Sequence, residues 1–145
     1  MRRFWVALVL GLVLVPQLAG CSRTPPEESL RRTIGQMQAA IEQRDAVTLA
    51  DGLAQDFIGP DGMDRKGAQR LAQLVFFRNR DVGVTLGPLD IAMVEGGATV
   101  TCTAALTGGS NALLPTSGQV YDVTMQWRQD GDAWELVNAE WAEKL

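Results

Sequence analysis

The spacing of apolar positions changes period along the chain, and each change predicts a different kind of element. Residues 4–15 are an unbroken run of apolar residues and glycine, closed by Pro16-Gln17. Beyond Pro25-Pro26 the apolar positions Leu30, Ile34, Met37 and Ile41 step by four, three and four, which lays one stripe along a helix. Thr24 and Glu27 have the spacing of a capping box, with Pro25 at the first-turn position where a missing N–H costs least. Asp45 caps a second, shorter helix through Val47, Leu49 and Leu53, ending before Asp56-Phe57. Gly59-Pro60-Asp61-Gly62 reads as a turn. Asp64 caps a third helix, in which Ala68, Leu71, Leu74 and Val75 make the buried stripe and Phe76-Phe77 close it.

From Asp81 the period falls to two. Val82, Val84 and Leu86 alternate, Gly87-Pro88 interrupts, and Leu89, Ile91 and Met93 resume in shifted parity, which predicts one long strand bent at a bulge. Glu95-Gly96-Gly97 turns the chain back into a strand from Ala98 to Leu106, where Val100, Cys102 and Ala104 face away from Thr99, Thr101 and Thr103. Residues 107–118 are expected to form a longer loop. Gln119 to Arg128 alternates Tyr121, Val123, Met125 and Trp127 with polar residues, Asp130-Gly131 marks a tight hairpin, and Trp134 to Trp141 closes the series. Helices first and hairpin strands afterwards predict an α+β domain over residues 25–145, with the helices packed on an antiparallel sheet.

The opening run belongs to another kind of segment. Met1-Arg2-Arg3 is positive and the twelve apolar residues that follow would rise only about 18 Å as a helix, against a hydrocarbon core of roughly 30 Å. Leu18-Ala19-Gly20-Cys21 resembles the lipobox of bacterial lipoproteins. That resemblance implies cleavage between Gly20 and Cys21, loss of residues 1–20 as a signal peptide, and acylation of Cys21. Several acyl chains on one residue would hold residues 21–24 to a membrane as a lipidated tether. Ser22 stands where the family's sorting residue would be, and the absence of Asp there favours the outer membrane, facing the periplasm.

Charge and missing residue types narrow the chemistry. The chain has 13 basic and 17 acidic side chains, and removing Arg2 and Arg3 makes the remainder more acidic, so nucleic acid is not an expected partner. It contains no histidine, which excludes Ser-His-Asp and Cys-His nucleophiles and every His-ligated metal site. With Cys21 committed to lipid, Cys102 has no internal partner and reads as a small buried hydrophobe. Gly108-Gly109-Ser110 lacks the strand-and-helix frame of a phosphate cradle, and Asp61, Asp64, Asp130 and Asp132 miss the spacing of a calcium loop. No cofactor or metal is expected. Arg65, Lys66, Arg70, Arg78 and Arg80 read as a solvated helix face, with contact to anionic head groups the alternative on a lipid-anchored domain.

The stretch from Ile41-Glu42-Gln43-Arg44-Asp45 to Asp56-Phe57, and the later Tyr121 to Trp127, Asp130-Gly131 and Trp134 to Val137, are together similar to the nuclear transport factor 2-like superfamily, the cystatin-like α+β cones. The resemblance covers roughly residues 27–142 and implies a curved sheet wrapped around the first helix, with a cone whose mouth admits a small apolar molecule. The fold hosts many unrelated functions. The candidate pocket residues are Tyr121, Trp127, Asn138 and Glu140. The last two share strand parity with Trp134 and Leu136, and a carboxylate held among apolar residues could serve as a general acid or base. The other reading of the same strand puts Val137, Ala139 and Trp141 inside and Glu140 in solvent. The expected function is a non-catalytic binding or interaction module on an envelope lipoprotein, with a small apolar ligand in the cone and no assigned catalytic residue. The partners expected are a membrane, through Cys21, and a second copy or an envelope protein, through the sheet face. The alternative is an isomerase, cyclase or hydrolase-like enzyme using the buried carboxylate.

Overall fold

The computed structural model describes residues 24–109 and 119–144. The leader, Gly20, Cys21 and residues 110–118 of the expected loop lie outside the described residues. Three helices come first: α1 (Pro26–Glu42), α2 (Ala46–Asp51) and, after strand β1 (Leu53–Ile58) and a 3-10 turn at Pro60–Gly62, α3 (Arg65–Arg78). Strands β2 (Asp81–Leu86), β3 (Asp90–Val94), β4 (Gly97–Gly109), β5 (Gln119–Asp130) and β6 (Ala133–Glu143) complete the chain. The architecture is α+β, with the helices on a curved, unclosed sheet. Among the described residues no helix is long and apolar enough to cross a membrane.

The strand order is β1-β6-β5-β4-β2, with β3 also on β4. Glycine makes both short hairpin turns in this series: Gly96 and Gly131 sit at φ 71° and 60°, the left-handed region where a Cβ is disfavoured. β2 and β3 lie along the two halves of β4, so the expected long strand is present as two pieces broken at Gly87-Pro88. Residues 107–109, expected to be loop, are strand instead, because β4 continues through Gly109 opposite Asp81.

Two expectations at the front of the chain need correction. The second helix stops at Asp51, and Leu53 opens strand β1, which pairs parallel with β6. The sheet is therefore mixed rather than antiparallel. Leu49, Leu53 and Phe57 have helical spacing, but Gly52 ends the helix, and its carbonyl accepts the Leu136 N–H at 3.0 Å, which recruits the next residues into the sheet. The capping box at Thr24 does not form. Pro25 is the N-cap and Pro26 enters the helix, so the two prolines remove donors that a side chain would otherwise have to satisfy, and Glu27 instead pairs with Arg31 at 2.9 Å. The caps at Asp45 and Asp64 form as expected, accepting the Thr48 and Gly67 N–H groups at 3.0 and 2.7 Å.

The core lies between α1 and the concave face of the sheet. Leu30 and Ile34 of α1 meet Leu53 and Phe57 of β1, Val100 of β4, Trp127 of β5 and Leu136 of β6. The opposite face carries Thr99, Thr101, Asp122, Thr124 and Gln126, and is polar. On α3 the expected buried stripe is only half covered. Phe76 is buried, whereas Leu71, Leu74 and Val75 stay 39%, 45% and 39% exposed and Phe77 is 89% exposed.

Candidate functional site

The concave face of the sheet is not filled by the helices. Between α1, α2, α3 and strands β4 to β6 lies an open cavity of about 440 Å³, within the range of small-molecule sites. Its lower wall is built from core residues such as Ile34, Phe57 and Leu136, and its upper wall from Leu71 and Val75 of α3 with Leu106 and Trp141 of the sheet. Those four upper residues line the cavity and yet remain 37–39% exposed, so they mark its mouth. Met37, Met63 and Met125 add flexible side chains to the wall.

Chemically the wall is nearly featureless. Among the described residues no Asp, Glu, Lys or Arg lines it. Its polar members are Gln38, Gln69, Cys102, Tyr121 and the Trp127 indole. Gln38 donates through Nε2 to the Val84 carbonyl at 2.7 Å, which ties α1 to β2 and spends that donor. The Tyr121 hydroxyl donates to Gln119 Oε1. Burial pushes the Cys102 thiol above its ordinary range. Trp127 is almost wholly buried and its Nε1–H has no acceptor among the described residues, unlike Trp134, whose Nε1 donates to Ser29 Oγ at 2.8 Å.

Of the four candidate pocket residues, the structure brings Tyr121 and Trp127 to the cavity and puts Asn138 and Glu140 elsewhere. The cause is a bulge in β6. Trp127 pairs with Leu136 but Gln126 pairs with Asn138, so Val137 is an extra residue and the alternation flips after it. Trp134 and Leu136 face inward before the bulge, Ala139 and Trp141 after it. Asn138 Nδ2 donates to the Ile58 carbonyl at 2.9 Å, across to β1, and Glu140 is exposed opposite Thr124. The expectation of an inward carboxylate fails on that single inserted residue. Ala139 and Trp141 line the cavity, as the other reading of this strand had them, whereas sequence reasoning missed the α3 residues as wall. A parity break at Val137 has no local signature, whereas the incomplete cover over Leu71 and Val75 follows from packing alone.

On the polar face, Arg128 of β5 reaches the adjacent strand β6 and, beyond it, β1. It donates to both carboxylate oxygens of Asp56 on β1, at 2.9 and 3.1 Å, and to Glu135 on β6 at 3.1 Å. The Arg128 hydrogen bonds hold the Asp56 carboxyl below its ordinary value. This cluster is exposed and faces away from the cavity, so it braces strands and does no chemistry on the cavity's contents. Among the described residues no three carboxylate or thiol groups converge to hold a metal ion.

Comparison with known proteins gives a fold and no closer kinship. No family model matches the chain. No curated protein matches it either. Solved structures do. Bd1075 from Bdellovibrio bacteriovorus superposes with a TM-score of 0.70 at 16% identity, over 79% of this chain and 40% of that one, so the chain spans well under half of that protein. A proposed dehydratase of the nuclear transport factor 2-like family from Streptomyces avermitilis gives a TM-score of 0.72 at 17% identity, over 83% and 97% of the two chains. A cystatin-like protein from Caulobacter vibrioides gives 0.69 at 11% identity, over 83% and 90%. The described residues thus have the nuclear transport factor 2-like, or cystatin-like, α+β cone fold.

Proposed function

We propose that the chain is a lipoprotein of the bacterial envelope, held through Cys21, whose cone domain binds an uncharged apolar molecule without transforming it. The observation that carries the binding reading is the roughly 440 Å³ cavity with no charged side chain on its described wall. A neutral apolar ligand gains from leaving water there, while a carboxylate or amine would give up its hydration and find no counter-charge. General acid–base chemistry needs a titratable group within hydrogen-bond reach of the substrate, and the described wall offers only a half-buried thiol and one phenol. The dehydratase name attached to the Streptomyces neighbour describes that protein's chemistry. Here the carboxylate that such a reading would enlist, Glu140, lies on the far face.

Thermal unfolding of the full chain with a panel of sterols, long-chain alcohols and polycyclic aromatics tests the binding reading, because a ligand held only by the folded state raises the midpoint. Neutral members should raise it and slow alkylation of Cys102, and carboxylated analogues should do neither. A panel that leaves both readouts unmoved overturns the reading. Support for the anchor is the positive n-region, the short apolar run and the box ending in Cys21. Metabolic labelling with palmitate should mark the wild type and spare Cys21→Ala, and a labelled variant would refute the assignment.

A further inference from the structure

The apolar residues that α3 leaves uncovered share their face with its cations. At 100° per residue, Phe77, Arg70, Leu74, Arg78 and Leu71 follow one another around about 120° of the helix circumference, with Lys66 at the edge beside Phe77. Phe77 is 89% exposed and Leu74 45%, and Lys66, Arg70, Arg78 and the following Arg80 are all exposed. α3 contains no acidic residue, in a chain whose formal charge is −4. Among the described residues none of these four cations has a carboxylate within ion-pair distance; Arg65, which does, is drawn back to Asp51 and the Ala50 carbonyl. Large apolar tips between unpaired cations are costly in water and suited to a surface that offers hydrocarbon beneath negative charge.

We infer that the outer face of α3 docks on an anionic lipid surface, Phe77 and Leu74 entering the acyl boundary while Lys66, Arg70, Arg78 and Arg80 meet head-group phosphates. A second copy is a poor occupant, since symmetric pairing would set the same cations against each other. The acidic remainder of the chain is repelled by the same surface, which turns α3 toward it. Leu71 and Val75, on the adjoining flank of α3, are also at the cavity mouth, so docking presents that mouth to the bilayer. An apolar ligand then passes between membrane and cone without crossing water. The docking stands on α3 alone; the transfer rests on the binding reading given above.

The test uses the full chain, so that any membrane affinity of its first 23 residues is common to every variant. Phe77→Trp should be quenched by brominated phosphatidylglycerol vesicles well beyond the wild type's own tryptophans, and not by brominated phosphatidylcholine vesicles. Reversing Arg70 and Arg78 to Glu should weaken binding to phosphatidylglycerol vesicles by about 25-fold or more, at roughly fivefold per cation. Phe77→Ser should weaken it while leaving its salt dependence. Equal quenching by both lipids, unchanged binding of the charge-reversed variant, or a vesicle-free change at position 77 that grows with protein concentration each overturns the proposal, the last in favour of self-association. None of these side chains lines the cavity, so ligand-induced thermal shifts measured without vesicles report separately on the binding reading.

Discussion

Trp127 and Trp134 lie on adjacent strands and both are buried, yet only one has its indole N–H satisfied. Replacing Trp134 by Phe removes a made hydrogen bond and replacing Trp127 by Phe removes an unmade one. Trp134→Phe should therefore cost about 1 kcal/mol more in a denaturant titration than Trp127→Phe. Asp56 offers a second measurement at this scale. Its carboxyl is held below its ordinary value of 3.8 chiefly by the hydrogen bond from Arg128. A depressed acid of this kind adds stability above its unfolded-state value, and that contribution disappears as pH falls through the folded-state value. Arg128→Met should move the Asp56 titration midpoint, followed by NMR, back up toward 3.8, with little change in stability at neutral pH because the pair is exposed. Tyr121 and Trp127 were legible in the sequence as wall residues because β5 alternates without a break from 121 to 127. Asn138 and Glu140 were not, since one extra residue at 137 reverses every position that follows it and leaves no trace in residue type.

Among the elements, α3 is the one whose sequence and structure diverge most usefully. Its start was legible: Asp64 is a strong N-cap, and Asp64→Ala should cost about 1 kcal/mol by loss of the bond to the Gly67 N–H, read as a lower denaturant midpoint with unchanged slope. Its apolar stripe was legible too, but helical period says only that Leu71, Leu74 and Val75 share a side. Whether that side is covered depends on how far the sheet curves away from it. β1 was hidden for a related reason. Its apolar residues Leu53 and Phe57 fit a helix as well as a strand, and the parallel partner that decides between them, β6, lies some eighty residues along the chain, as in the pairing of Ile58 with Asn138. The β5–β6 hairpin, joined by the local turn at Gly131, needed no such distant information for its existence.

For the whole molecule, the order of helices and strands sufficed to place it among α+β cones, and the solved neighbours agree on that fold at 11–17% identity. What the order could not supply was the interior. A cone is defined by what its helices fail to fill, and that volume is the difference between sheet curvature and side-chain bulk, neither of which is written in any one segment. The same interior has a further consequence. It holds no carboxylate, amine or guanidinium among the described residues, the chain has no imidazole at all, and burial pushes the Cys102 thiol up, away from neutrality. Its grip should thus be indifferent to the acidity of the medium: isotherms for one neutral ligand, recorded from about pH 5 to pH 8, should superimpose. A compartment that sours or turns alkaline with the cell's surroundings would leave the cargo where it is.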